Sequence, residues 1–497
     1  MRSAVRRTIE IAFATLAFTA CHDSTGPAGP PTLSLRDTTL LVDETLSVPV
    51  TARNADGRPL TDPSLSWSSS APAVALVDDS GHVTAVALGT ATITATLDSV
   101  EARMALTVAP QFTQIATGET HTCGITGRGE VYCWGMSARG ELGPAPDILD
   151  CGTRFGTGIK CSPVPIRSSD LRAVAITAGA MHTCALDAGG TAYCWGANFY
   201  GEAGTGSTSD VPTPTPVAGD HEFTRIVAGR MHTCGITTSH DAYCWGWDDS
   251  GQLGAGDVSA ERCTFFGTNP CSRTPRLVVG GHQWAQLSAT ERATCGVTTT
   301  GELYCWGLDV GGDDGLYCQM ADNLHGCTHT PILISSSKTF EAIGIGNAHR
   351  CEQALDGTLE CWGANYWGMF GNGTNVGSPT PVTAAGGASY ASFVASRTGA
   401  CALDSDGRAQ CWGMGGGGQI GNGSLEDALT PTDVSGGHRF VSLASSGSSD
   451  FFCGIADTGR AYCWGLGSFA QIGDNEYLSR SEPSLVRLVP RPSMIRR

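Results

Sequence analysis

Between residues 110 and 490 the hydrophobic and polar positions repeat one short pattern seven times. Its clearest stretch alternates: Val131 and Cys133 fall on one side, Tyr132 and Trp134 on the other. A period of two is that of a β-strand. Each copy holds two cysteines ten positions apart, the second followed by Trp-Gly. The expected pairs are Cys123 with Cys133, Cys184 with Cys194, Cys234 with Cys244 and Cys295 with Cys305. The remaining three are Cys351 with Cys361, Cys401 with Cys411, and Cys453 with Cys463. Between the cysteines lies a turn such as Gly189-Gly190, Asp356-Gly357 or Asp406-Gly407. Strand, tight turn and strand make a hairpin with arms of equal length. The cysteines then face each other with Cα atoms roughly 4.5 Å apart, within reach of a disulfide.

Two further elements accompany each hairpin. A Gly-x-x-Gly follows it, as in Gly140–Gly143 and Gly201–Gly204, with Ala470 replacing the first glycine of the last copy. No helix follows these glycines, so they read as backbone turns at a blade edge and not as phosphate cradles. The other element is a proline before an apolar residue, at Pro165, Pro216, Pro275, Pro331, Pro381, Pro431 and Pro483. The first hairpin has no such strand before it, and the last copy, at Pro483, follows the final hairpin. The expectation is an all-β chain whose seven-bladed β-propeller is closed by the C-terminal strand, which completes the sheet begun near Phe112–Ile115.

Residues 32–109 show a different rhythm: short alternating runs such as Val83–Val86 and Ala91–Leu97, with turns at Asp56-Gly57 and Ser80-Gly81. These predict an N-terminal β-sandwich. Trp67, Val74–Val77, Ser80-Gly81 and Gly89–Ala95 fall in an order that resembles the bacterial Ig-like domain, group 2. That resemblance implies a stalk or adhesion spacer. It has no cysteine, so Trp67 packs without a disulfide.

The seven-fold unit, Cys-Trp-Gly and then Gly-x-x-Gly, resembles the regulator-of-chromosome-condensation repeat. Family members usually carry a small residue before Trp-Gly, where this chain has cysteine throughout. Three more pairs lie outside the hairpins: Cys151 with Cys161, Cys263 with Cys271, and Cys318 with Cys327. The chain has 21 cysteines, so ten pairs leave Cys21 over. The extra pairs fall only in the long first, third and fourth intervals, in insertions after the Gly-x-x-Gly turn. The insertions are expected on one side of the disc. They carry Phe155, Phe265, Phe266 and Tyr317, which either form a binding surface on pre-ordered loops or pack against those loops.

The chain begins with Arg2, Arg6 and Arg7 and an apolar run from Ile11 to Ala20, too short to span a bilayer. Residues 1–21 read as a signal peptide ending in Phe18-Thr-Ala-Cys21, which resembles a lipobox with Cys21 as the acylated residue. An ordinary cleaved signal is the alternative. Residues 22–31 are a Pro/Gly-rich tether and 491–497 a C-terminal tail. The net charge of −17, with no basic cluster after the leader, opposes nucleic-acid binding. Glycine, 66 of 497 residues, opposes long helices, and many paired cysteines suit an oxidising compartment.

Three chemical constellations are weak. Cys318, His325, Cys327 and His329 match no common zinc spacing. His121, His182, His232 and His349 recur two residues before the first cysteine, where a structural role outweighs a ring of metal ligands or bases. Asp404-Ser-Asp406-Gly407 resembles the start of a calcium loop but lacks its downstream Glu. No cofactor, metal or catalytic residue is expected. The reading is a monomeric, non-enzymatic binding or adhesion module, lipid-anchored in the cell envelope, recognising a protein or glycan. The alternatives are an inhibitor of a secreted enzyme, a hydrolase at the propeller channel, and the guanine-nucleotide exchange that the family's nuclear members perform. Exchange suits an exported chain poorly, since it meets no cytosolic GTPase.

Overall fold

The computed structural model describes residues 30–145, 148–151, 160–257, 259–264, 267–308, 327–335 and 339–487. The first unit packs a four-stranded sheet, with Val100–Ala109 and Gly89–Leu97 at its centre, on a three-stranded sheet of Thr45–Ser47, His82–Ala85 and Ala75–Val77. Inward residues of both sheets, among them Val83, Ile93, Met104 and Leu106, are wholly buried. Trp67 packs on this core from its rim, and Gly81 in the adjoining turn leaves it room: a Cβ there would sit 2.6 Å from the indole.

Only Pro110 and Gln111 separate Val100–Ala109 from the next strand, Phe112–Thr117. Leu88 packs on the core around Phe112, Arg128 pairs with Asp43 at 3.0 Å, and Arg460 donates to the Thr39 carbonyl at 3.1 Å. The sandwich is therefore seated on the repeats.

Seven antiparallel sheets follow, each built on four strands in chain order, here called a to d; the first and third add a short fifth strand beyond d. In the first sheet strands a to d are Phe112–Thr117, His121–Thr126, Glu130–Ser137 and Lys160–Arg172; in the seventh, Phe440–Ala444, Phe451–Ala456, Ala461–Gly465 and Arg480–Leu485.

Strands b and c are the expected hairpin, and all seven expected pairings form. Cys123 is bonded to Cys133, Cys184 to Cys194, Cys234 to Cys244 and Cys295 to Cys305. Cys351 is bonded to Cys361, Cys401 to Cys411 and Cys453 to Cys463. In every case the two cysteines are direct cross-strand partners, with Cα atoms 4.0–4.1 Å apart. That spacing is somewhat shorter than the 4.5 Å expected of an unbridged pair.

The expected role of the C-terminal strand is corrected. Arg480–Leu485 pairs with Ala461–Gly465 of its own sheet and does not complete the sheet of Phe112–Thr117. Each proline strand follows its hairpin as strand d, so every sheet is complete from one continuous stretch of chain. Strand d lies at or next to the outer edge, where proline costs no ladder bond and blunts the edge against pairing.

The disulfide and the tryptophan point to opposite faces of each sheet, so every core lies between two sheets. Cys123, Cys133 and Ile125 of the first sheet pack with Trp195 of the second, and the pattern repeats down the chain. Phe451, Cys453 and Ile472 of the seventh pack with Phe112 and Trp134 of the first. Strands a of successive sheets touch one another, and that of the first sheet touches that of the seventh.

Candidate functional site

The Gly-x-x-Gly turn is the seat for the next sheet's tryptophan. Trp195 Nε1 donates to the Glu141 carbonyl at 2.8 Å, Trp245 to Glu202 at 2.9 Å, Trp306 to Gln252 at 2.9 Å, Trp412 to Met369 at 2.9 Å and Trp464 to Gln419 at 3.1 Å. Trp134 of the first sheet donates to Gln471 of the seventh at 2.8 Å. The final glycine makes room, since a Cβ on Gly204 would lie 2.7 Å from Trp245 Nε1. The residue corresponding to these acceptors before Trp362 is Asp313, outside the described residues.

The side chain of the acceptor residue folds back on its own turn. Gln252, Gln419 and Gln471 each accept the backbone N–H two residues earlier, at 2.7–2.9 Å. Glu141 and Glu202 do the same from Arg139 at 2.8 Å and Tyr200 at 2.7 Å. Both glutamates are wholly buried, and burial pushes each carboxyl up to about 7.

The repeated histidines join the same junctions. His121, His182 and His232 place Nε2 2.9 Å from the hydroxyls of Thr183, Thr233 and Thr294. Each threonine donates onward to the carbonyl of Glu141, Glu202 or Gln252. Such a threonine accepts from the histidine, which fixes Nε2 as the protonated nitrogen. Burial lowers these imidazoles to about 3–4, and that of His349 likewise. His121, His182 and His232 are inter-sheet struts, each tied to a separate junction. Asp404 is also structural: its Oδ1 accepts the N–H groups of Asp406 and Arg408 at 2.8 and 2.9 Å, an Asx turn at the hairpin tip. Cys327 is disulfide-bonded, while Cys318 and His325 lie outside the described residues.

The a–b and c–d connections emerge at one end of each sheet, and the described parts of the first and third insertions belong to c–d connections, so these share this face. Cys151 with Cys161 and Cys263 with Cys271 form as expected. The first docks on the seventh sheet's loop: Tyr477 Oη lies 3.4 Å from Cys161 Sγ, and Asn475 N–H donates to Pro163 O at 2.9 Å. The second is buried with Tyr200 and Trp247, which stack at 5.3 Å. The insertions' four aromatics (Phe155, Phe265, Phe266 and Tyr317) lie outside the described residues, as does Cys21.

At the centre of this face, a–b loops of different sheets meet. Arg230 pairs with Glu291 at 2.8 Å and Glu119 at 3.4 Å; Arg397 reaches Asp450 at 3.7 Å and Glu119 at 3.8 Å. These side chains close on one another with no room for a water molecule between them. Each carboxylate here is matched by a guanidinium, an arrangement that braces the loops.

Further out the face carries apolar side chains that sequence reasoning passed over. Tyr366 is 59 % exposed and Trp367 37 %, their rings 6.0 Å apart and edge to face. Val376, Leu425 and Leu478, on c–d loops of the fifth, sixth and seventh sheets, are more than half exposed. The signal was present as Asn-aromatic-aromatic-Gly at 198–201 and 365–368, but only packing separates the covered pair from the open one.

This geometry is that of a repeat propeller, and the comparisons with known families agree. The chain carries a bacterial Ig-like domain (group 2) at residues 30–108, followed by regulator-of-chromosome-condensation (RCC1) repeats, matched at 112–141, 173–202 and 223–252 and, by a second description of the repeat, at 128–186 and 189–236. Among individual proteins, it is 28 % identical over 270 residues to the ultraviolet-B receptor UVR8 of Arabidopsis thaliana, covering 54 % of this chain and 45 % of that one. The chain thus spans less than half the length of that relative. In fold it is similar to Prp20p, the RCC1 protein of Saccharomyces cerevisiae (TM-score 0.59, 19 % identity, 73 % of this chain and 86 % of that one). Human WBSCR16 gives a TM-score of 0.57 at 18 % identity, covering 69 % of this chain and 86 % of that one.

Proposed function

We propose that this chain is an exported, envelope-anchored binding protein whose seven sheets close into a ring and present the c–d loop face to a partner protein. Support for closure lies at the junction of the seventh and first sheets. Trp134 and Thr122 both donate to Gln471 O, and Asn475 N–H donates to Pro163 O, as Gly206 N–H donates to Arg273 O between the second and third sheets. No strand is exchanged there, so side-chain packing and the first insertion hold the seam.

The observation that carries the recognition reading is a face of tightly tethered loops bearing exposed apolar groups. The described loops are held before any partner arrives, so they lose little conformational entropy on docking. The Ig-like unit acts as the spacer, and acylation of Cys21 as the tether. Protein binding is in keeping with yeast RCC1, solved in complex with Kap60. The carboxylates at the centre of the face are paired with arginines, which favours recognition over catalysis there.

The test is cross-linking of the full chain in its native envelope, with mass spectrometry of the cross-linked peptides. Cross-links to a partner are expected on c–d loops; partners linked only through hairpin tips or the sandwich would overturn the reading. Labelled palmitate entering the wild type but not Cys21→Ser would support the anchor, and equal labelling would remove it.

A further inference from the structure

Resting on the recognition reading above, we infer that the loop face at the junction of the fifth and sixth sheets is a receptor for an arginine or lysine side chain of a partner protein, held between Trp367 and the carboxylates of Asp427 and Glu426. Twice on this face an aromatic ring, a carboxylate and an arginine come together. Arg139 of the first sheet lies 5.0 Å over the Phe199 ring and pairs with Asp210 at 3.2 Å. Arg292 lies 4.5 Å over Trp247 and pairs with Asp249 at 3.4 Å. Each set is satisfied within the chain.

The fifth and sixth sheets hold a ring and a carboxylate without the cation, arranged differently: Gly416 stands in the place of Phe199, and the ring comes from the fifth sheet. Trp367 occupies the place in the repeat that Arg139 occupies, immediately before the first glycine of the turn, and Asp427 occupies that of Asp210, immediately before strand d. The backbones correspond. Asn198 Nδ2 donates to the Ser207 and Ser209 carbonyls at 3.0 Å, and Asn365 Nδ2 to those of Thr374 and Val376 at 3.0 and 3.2 Å. Asp427 Oδ1 accepts the Gly415 N–H at 2.9 Å, as Asp210 Oδ1 accepts that of Asn198. The second oxygen of Asp210 takes Arg139, whereas among the described residues no arginine or lysine pairs with Asp427 or Glu426.

Coverage differs in the same sense. Tyr200, which corresponds to Trp367, is buried against Trp247 of the third sheet. In the sixth sheet Met414 holds the place of Trp247, and Gly415–Gly418 follow it with no side chain to lay over the aromatic pair. An open ring beside two unmatched carboxylates selects a cation that can stack, and the net charge of −17 draws basic partners. Exposed Val376 and Leu425 suit an apolar residue beside that cation.

The experiment uses the full disulfide-bonded chain and two fluorescein-labelled peptides of alternating leucine, one with arginine and one with glutamate, read by anisotropy. The arginine peptide is expected to bind and the glutamate peptide not. Trp367→Ala and Asp427→Asn should each weaken binding by about five- to thirtyfold, the scale of one desolvated cation–ring or charge-assisted contact. Trp367→Arg would supply the missing cation from within and abolish binding. Both sites are on the surface, and near-ultraviolet dichroism checks the fold. Arginine-peptide binding that is unchanged in these variants, or a laminarin oligosaccharide that binds through Trp367 while the arginine peptide does not, would overturn the inference. Partner cross-links on the face without peptide binding would remove this inference and leave the recognition reading standing.

Discussion

Glu202 occupies a place where three other repeats carry glutamine, and replacing it isolates the cost of a buried carboxylate. Its folded-state pKa, about 7, lies above the usual 4.5 because burial penalises the charged form. A raised pKa means that the folded state holds its proton more tightly. The associated stability is complete below pH 4.5, is lost as pH rises toward 7, and is gone above it. Integrating that shift gives about 3 kcal/mol of lost stability at pH 8 and under about 1 kcal/mol at pH 5. Glu202→Gln removes this loss, but Gln252 Nε2 has no partner among the described residues, so by analogy the new amide gives back about 1 kcal/mol. The variant should therefore be more stable than wild type by about 2 kcal/mol at pH 8 and roughly equal to it at pH 5. Urea denaturation followed by tryptophan fluorescence at both values, with hydrogen exchange across His232–Thr237, measures the difference. A gap between the two proteins that does not change with pH would refute the reasoning.

The four repeated histidines act in the opposite sense. Their folded pKa values of about 3–4 lie below 6.5, so stability falls as pH drops from 6.5 through that range. Acid unfolding should take up protons there, and proton uptake by His232→Gln should be smaller when measured in a pH-stat. Ala470 is buried at φ +66°, in the place of a glycine, so Ala470→Gly should stabilise the seam by about 1 kcal/mol. A lower midpoint in urea would contradict the reading of backbone strain. Ala400 holds the repeat position of the threonines that bond the counterparts of His349, and among the described residues neither ring nitrogen has a close hydrogen-bond partner. Ala400→Thr should add about 1 kcal/mol, with slower exchange across His349–Ala354; unchanged exchange would show that the hydroxyl does not reach the ring.

The hairpins were legible in the chain because their determinants are local: two cysteines at equal distance from a tight turn leave one register. The Ig-like unit was legible for the same reason. The purpose of Gly-x-x-Gly was hidden, because the tryptophan it seats lies some fifty residues further on, in another sheet. The phase of the proline strand was hidden too, since periodicity alone cannot say whether an edge strand precedes or follows its hairpin; hydrogen-bond pairing assigned it to the hairpin before. The histidines kept several roles open until the threonine of the adjoining sheet was seen to take Nε2. Asn-Phe-Tyr-Gly and Asn-Tyr-Trp-Gly are nearly the same phrase, yet one pair is covered and the other open. That difference is set by Trp247 in one neighbouring sheet and four glycines in the other, because burial belongs to the surroundings of a residue and not to the residue itself.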